Sequence, residues 1–175
     1  MKVTRCNISG LLIIEPKVFG DARGFFLETW NRRRYREAGL DADFVQDNVS
    51  FSRRGILRGL HFQNPAPQGK LVSVLQGEVF DVAVDIRRSS PTLGRWQGVT
   101  LSGDNKRQFY VPPGFAHGFL VLSETADFLY KCTDYYAPEL ERTIIWNDPT
   151  LGIEWPIPPG MTPLLVIFQI PAASH

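Results

Sequence analysis

His61 and His117 are the side chains of this chain best suited to moving protons, because imidazole has the ordinary pKa nearest neutrality. Each stands in a short segment rich in Gly or Pro. Residues 56–63 read Ile-Leu-Arg-Gly-Leu-His-Phe-Gln, and residues 112–119 read Pro-Pro-Gly-Phe-Ala-His-Gly-Phe. Gathered with Arg58, Lys70 and Tyr130, the two would make a site that takes and returns protons on an anionic substrate. Either histidine alone would serve equally well as a hydrogen-bonded structural residue of a β-protein.

The elements that must position these side chains are short strands. The 15 Gly and 13 Pro are spread throughout, and the segments between them are rich in Val, Ile, Phe, Tyr and Thr, an all-β pattern. Residues 77–86 show period two. Phe80, Val82, Val84 and Ile86 share one face, and Val79, Asp81, Ala83 and Asp85 the other, so Asp81 looks towards a polar interior or solvent. Further strands are expected over residues 11–15, 25–29, 69–75, 98–101, 108–111, 118–122, 126–133 and 143–146. So many short strands predict a sandwich or jelly-roll barrel. One helix is expected over residues 32–38, introduced by Asn31 and stopped by Gly39.

A chain of 175 residues, 43% hydrophobic, suits one domain over residues 1–175 with its own core. The 19 Lys and Arg against 18 Asp and Glu leave no global field for nucleic acid or an acidic membrane. The run Arg32-Arg33-Arg34 with Arg36 reads as a solvated helix face. Residues 1–6 lack the apolar run of a signal peptide, and no stretch has the apolar length of a bilayer span, so a cytoplasmic location is expected. Cys6 and Cys132 form no CxxC pair and read as buried thiols. The apolar run 164–170 would be a liability if exposed, and a second subunit is its simplest cover.

The spacing Pro112-x-Gly114-x-x-His117 is that of a cupin motif, in which a tight Gly turn aims a histidine into a jelly-roll barrel. Many cupins hold a metal through a His-x-His pair, a carboxylate and a last histidine. Here the first segment offers only His61-Phe62-Gln63, so no metal is expected, although a set of His61, His117 and Asp81 is geometrically conceivable.

Several segments in collinear order resemble the dTDP-4-dehydrorhamnose 3,5-epimerase family. They are residues 15–28 (Glu-Pro-Lys-Val-Phe-Gly-Asp-Ala-Arg-Gly-Phe-Phe-Leu-Glu), 44–48 (Phe-Val-Gln-Asp-Asn), 56–63, Gln68-Gly69-Lys70, 78–87 with Ser90-Pro91-Thr92, and 112–119. Phe128-Leu129-Tyr130-Lys131 with Tyr135-Tyr136, and Trp146-Asn147-Asp148-Pro149 with Gly152-Ile153, complete the set. The resemblance implies a cupin-type jelly roll with one or two short helices, a homodimer, no metal and no cofactor. It implies action on a dTDP-4-keto-6-deoxyhexose in dTDP-rhamnose or related deoxysugar biosynthesis.

In a 4-keto sugar the carbonyl acidifies the hydrogens on C3 and C5, so epimerisation needs a base on one face, a stabiliser for the enolate oxygen and an acid on the other face. The resemblance assigns the base to His61; Lys70 fits the oxyanion partner and Tyr130 the acid. Arg58 would hold an anionic oxygen, although strict alternation puts it on the opposite strand face from His61. Either Gly59 permits a bulge or Arg58 reaches around the strand end. The resemblance further implies that Arg23, Glu28, Gln46 and Asn48 contact the nucleotide diphosphate sugar, either within one chain or across a dimer, and that Tyr136 stacks near thymine. His117 and Asp81 are expected to line the site.

The chain departs from the family's pattern from about residue 160. Aligned on Pro163-Leu164-Leu165, Phe168 and Gln169 stand where the family has Lys and the Asp that pairs with the catalytic histidine. An amide cannot stabilise imidazolium by charge, so His61 would be a weaker base unless another carboxylate such as Asp81 approaches. Three readings stay open. The first is an epimerase acting at both carbons or at one; the second is a sugar-nucleotide-binding protein with impaired turnover; the third is a metal-dependent cupin.

Overall fold

The computed structural model describes residues 1–166. In chain order the elements are β1 (Lys2–Arg5), β2 (Leu12–Glu15), β3 (Val18–Asp21), β4 (Gly24–Leu27), α1 (Arg32–Glu37), β5 (Gln46–Arg53), β6 (Ile56–Gln63), β7 (Lys70–Gln76) and β8 (Glu78–Asp85). They continue with β9 (Trp96–Ser102), β10 (Gln108–Val111), β11 (Phe115–Val121), β12 (Thr125–Cys132), β13 (Glu141–Thr143) and β14 (Leu164–Val166). One sheet runs β1-β2-β10-β7-β12-β5 and the other β13-β6-β11-β8-β9, with β14 laid parallel on β6. The two sheets pack as a cupin-type jelly roll, and β3 with β4 forms a separate hairpin.

β8 carries the logic of the packing. Val79 and Ala83 join the core between the sheets with Leu101, Phe109 and Phe128, while Val82 and Val84 face outward into a second cluster with Phe80 and Trp155. The outer face is covered by the segment after β13, where the Phe80 and Trp155 rings meet edge-on at 6.1 Å. A strand buried on both faces must be apolar almost throughout, so Asp81, fully buried, stands out. At the end of β8 the buried Asp85 accepts hydrogen bonds from Arg87, Ser90 and Thr92, which gives the Ser-Pro-Thr motif its structural reason. Burial alone would raise its pKa, but those bonds hold the carboxyl below its usual range.

α1 closes the outside of the first sheet. The Asn31 side chain accepts from the Arg34 amide as an N-cap, and Tyr35 is buried with Leu12, Ile14 and Leu71. Its four arginines lie on the exposed side, as a solvated face requires.

Some expectations need correction. The strand anticipated over 143–146 is β13, three residues earlier at its end, because Glu141 and Thr143 pair with Gln63 and His61 while Ile144 joins the outer apolar cluster. Cys132 is buried, but Cys6 is only partly so. Of the apolar run 164–170, β14 leaves Leu164 and Leu165 more than half exposed. Phe168 and Gln169 lie outside the described residues.

Candidate active site

Three strands of the first sheet put their even-numbered residues on the inner face. Register aligns Lys70, Cys132 and Gln46 in one row, and Val72, Tyr130 and Asn48 in the next. Because strand side chains alternate, both rows look across at the second sheet. There His117 of β11 pairs with His61 of β6, and between this pair and Phe119 with Arg58 the register slips. Gly59 and Leu60 together oppose Gly118, a bulge with Gly59 at φ +99°. The extra residue brings Arg58 and His61 to the same side, resolving the conflict that strict alternation posed. Only glycine fits there, since a Cβ on Gly59 would lie 2.6 Å from the Gly118 Cα.

Between the sheets lies a cavity of about 520 Å³. Gln46, Asn48, Arg58, His61, Lys70, His117, Tyr130 and Tyr136 all line it. Its floor is apolar, with the Phe119 and Phe128 rings stacked at 4.0 Å. Asp81 sits behind His117, both of its carboxylate oxygens 2.9 Å from His117 Nε2. Arg23 and Glu28 are not brought here. Arg23 is paired with Asp21 at 2.7 Å on the β3–β4 hairpin, its side chain 90% exposed, and Glu28 pairs with Arg34 at 3.3 Å.

A carboxylate does approach His61, but it is Glu141 and not Asp81. His61 Nδ1 lies 2.9 Å from Glu141 Oε1, and the Tyr136 hydroxyl donates to Glu141 Oε2 at 3.3 Å. Register explains both histidine contacts. Glu141 pairs with Gln63 and reaches diagonally to His61, two residues back on the same face; Asp81 pairs with Phe119 and reaches diagonally to His117. Glu141 escaped sequence reasoning because it lies between the strands expected over residues 126–133 and 143–146, and its partner is 80 positions away. The alternation of Glu141, Arg142 and Thr143 was the available signal.

A carboxylate only accepts, so His61 Nδ1 carries the hydrogen and Nε2 presents its lone pair. That Nε2 is buried with no hydrogen-bond partner among the described residues. Burial lowers the His61 pKa, opposed by Glu141 and reinforced by Lys70 and His117, so the ring is neutral at pH 7. Lys70 is likewise lowered by burial, with Cys132, Glu141 and Asp81 pulling the other way, and its Nζ stands 5.9 Å from the Tyr130 ring centre. Tyr130 is pushed up to about 12, chiefly by burial, so its phenol keeps its proton at neutral pH. Arg58 donates to Ser52 Oγ at 3.0 Å and holds its charge at the cavity wall. Among the described residues no group of three or more His, Cys, Asp or Glu is arranged to hold a metal ion. A neutral base, a buried cation and a protonated phenol around one cavity can take a proton from carbon, hold the resulting oxyanion and return a proton.

The family model for dTDP-4-dehydrorhamnose 3,5-epimerase matches residues 5–169. The chain is 61% identical over 158 residues to a dTDP-4-dehydrorhamnose 3,5-epimerase of Pseudomonas aeruginosa, covering 90% of this chain and 87% of that protein. Its structure superposes with TM-score 0.90 on a 3,5-epimerase of Legionella pneumophila in complex with dTDP-4-keto-L-rhamnose, 59% identical over 94% of this chain and 87% of that one. A 3'-monoepimerase of Streptomyces bikiniensis in complex with dTDP-quinovose superposes with TM-score 0.85 at 36% identity, covering 93% of this chain and 82% of that one.

Proposed function

The chain belongs to the dTDP-4-dehydrorhamnose 3,5-epimerase family, and from that membership and the cavity's geometry we propose that it epimerises a dTDP-4-keto-6-deoxyhexose at C3 and C5 on the way to dTDP-rhamnose. The observation that carries this reading is that His61 and Tyr130 reach the cavity from opposite sheets. A sugar ring lying between them meets a base on one face and an acid on the other, which is what inversion at carbon demands.

His61 Nε2 takes the hydrogen beside the ketone, and the electron pair left on carbon moves onto the carbonyl oxygen as an enolate. Lys70 stabilises that oxyanion. A cation held in a low-dielectric cavity interacts with the enolate more strongly than with the ketone, and removing one such donor typically costs about 10²–10³ in rate. Tyr130 then delivers its proton to the opposite face; once the His61 imidazolium has given its proton to solvent and the Tyr130 phenolate has taken one back, the same sequence at the second carbon completes the reaction. Arg58 holds an anionic oxygen of the diphosphate, with Gln46 and Asn48 beside it. Tyr136 stacks on thymine. His117 and Asp81 line the site in support.

Arg23 and Glu28 act on the partner's substrate in a homodimer. The hairpin that carries Arg23 leaves Phe19, Phe25 and Phe26 more than half exposed, a surface that favours a second copy. The free thiols Cys6 and Cys132 suit a reducing compartment such as the cytoplasm, and among the described residues no helix is long and apolar enough to cross a membrane.

The test is solvent-deuterium exchange with dTDP-4-keto-6-deoxyglucose, read separately at C3 and C5. Deuterium entering both carbons is expected. Entry at only one would make the protein a monoepimerase; tight binding with no entry would make it a sugar-nucleotide-binding protein.

A further inference from the structure

We propose that Glu141 is the positioning residue of His61, holding the imidazole through one carboxylate oxygen while Tyr136 anchors the other. The proposal rests on the epimerase reading above and deepens it.

The contact is 2.9 Å long, and the two side chains are 17% and 12% exposed, so water competes little for either. Around His61 stand Glu141 from β13, Lys70 from β7 and His117 from β11, with Asp81 of β8 spent on His117. Of these, Glu141 alone favours the protonated ring; Lys70 and His117 oppose it. Neutral imidazole has two tautomers, and only the one protonated at Nδ1 turns a lone pair towards substrate through Nε2. Glu141 selects that tautomer before the reaction and stabilises the imidazolium formed by it.

Glu141 is itself held. The Tyr136 hydroxyl donates to its second oxygen at 3.3 Å. The Tyr136 amide donates to Gln46 Oε1 at 2.9 Å, and the Ala137 amide to Gln63 Oε1 at 2.8 Å, so two glutamine side chains fix the loop that carries this ring. The ring assigned to thymine and the base assigned to C3 and C5 therefore share one carboxylate.

The test compares Glu141→Gln, Glu141→Ala and Tyr136→Phe by three readouts: nitrogen NMR of the His61 tautomer in the free protein, the pH profile of exchange, and affinity for thymidine diphosphate. Glu141→Gln keeps an acceptor but drops the charge; it should retain the Nδ1–H tautomer and move the acid limb of kcat/KM to lower pH. Glu141→Ala should lose the tautomer bias and slow exchange by at least about 10²-fold, given that an orienting carboxylate can be worth up to about 10⁴-fold. Tyr136→Phe, which keeps the ring, should cost less than about tenfold, as fits one weak hydrogen bond. Thymidine diphosphate affinity should change little in both Glu141 variants. The proposal is overturned if Glu141→Ala leaves the His61 tautomer and the acid limb where they were, or if nucleotide affinity falls in step with rate. Absence of exchange in the parent protein would instead sink the epimerase reading, and the tautomer comparison would still decide the role of Glu141.

Discussion

Gly59→Ala should damage both stability and catalysis, because the bulge at this residue is what sets Arg58 and His61 on one side of β6. Two costs add. At φ +99° an L-residue occupies sparsely populated backbone space, worth about 1–3 kcal/mol. The new Cβ would also stand 2.6 Å from the Gly118 Cα and against the His117 carbonyl, backbone that cannot swing aside as a side chain would. Overpacking of this kind costs about 1–3 kcal/mol. The sum, about 2–6 kcal/mol, exceeds the roughly 0.4–1 kcal/mol that Gly→Ala returns by stiffening the unfolded chain. For a domain of this size it corresponds to a melting temperature lowered by about 4–24 °C. Gly94→Ala is the control, since Gly94 has φ +80° but nothing within 4 Å of a Cβ, and should show the backbone cost alone. Thermal melts at one protein concentration and deuterium exchange on the same samples provide the assay. If Gly59→Ala melts within about 2 °C of the parent and exchanges at the parental rate, the bulge does not hold the two side chains together and the argument fails.

His61→Ala should abolish exchange at both carbons while leaving thymidine diphosphate affinity nearly unchanged; exchange at the parental rate would remove His61 from the chemistry. Tyr130→Phe should still let deuterium into the substrate but form inverted product more slowly, as the product-to-exchange ratio will report, and an unchanged ratio would take the acid role from Tyr130. Burial lowers the His61 pKa, so the acid limb of kcat/KM should lie below pH 6.5: the base is neutral and active above its pKa and is lost as pH falls through it. A limb above that value would contradict the account.

The side chains in the cavity were legible in the sequence where a motif carried them. The segment 56–63 named Arg58 and His61 and posed the choice between a bulge at Gly59 and a reach around the strand end, because two functional residues three apart cannot share a face of a regular strand; the register slip selects the bulge. β5 was not legible as a strand. Its inner residues Gln46, Asn48, Ser50 and Ser52 are polar because they face a wet cavity or its rim, and its exposed ones include Val49 and Phe51, so the usual hydrophobic period runs inside out. Glu141 was missed for a related reason: a three-residue strand gives almost no period to read, and its meaning comes from a register with β6 that no local pattern contains. Arg23 and Glu28 carry the family's motif yet stand apart from the cavity, Arg23 paired with Asp21 on an exposed hairpin and Glu28 with Arg34, a separation that no local pattern in the sequence announces.

The two histidines show how one geometric device yields unequal roles. Each meets a carboxylate diagonally across neighbouring strands, but opposite ring nitrogens make the contact: Nδ1 in His61 and Nε2 in His117. His117 Nε2 therefore spends its hydrogen on Asp81, fully buried behind it, and has no lone pair there to offer a substrate. His61 Nε2 is buried without a hydrogen-bond partner among the described residues, and the side chain lines the cavity. Near-neutral pKa alone, the feature that first singled out both residues, does not separate them; the choice of nitrogen does. It follows that converting His117 into a base would require freeing Nε2 from Asp81, whereas His61 already meets its carboxylate through the other nitrogen and lines the same cavity as Tyr130 of the opposite sheet.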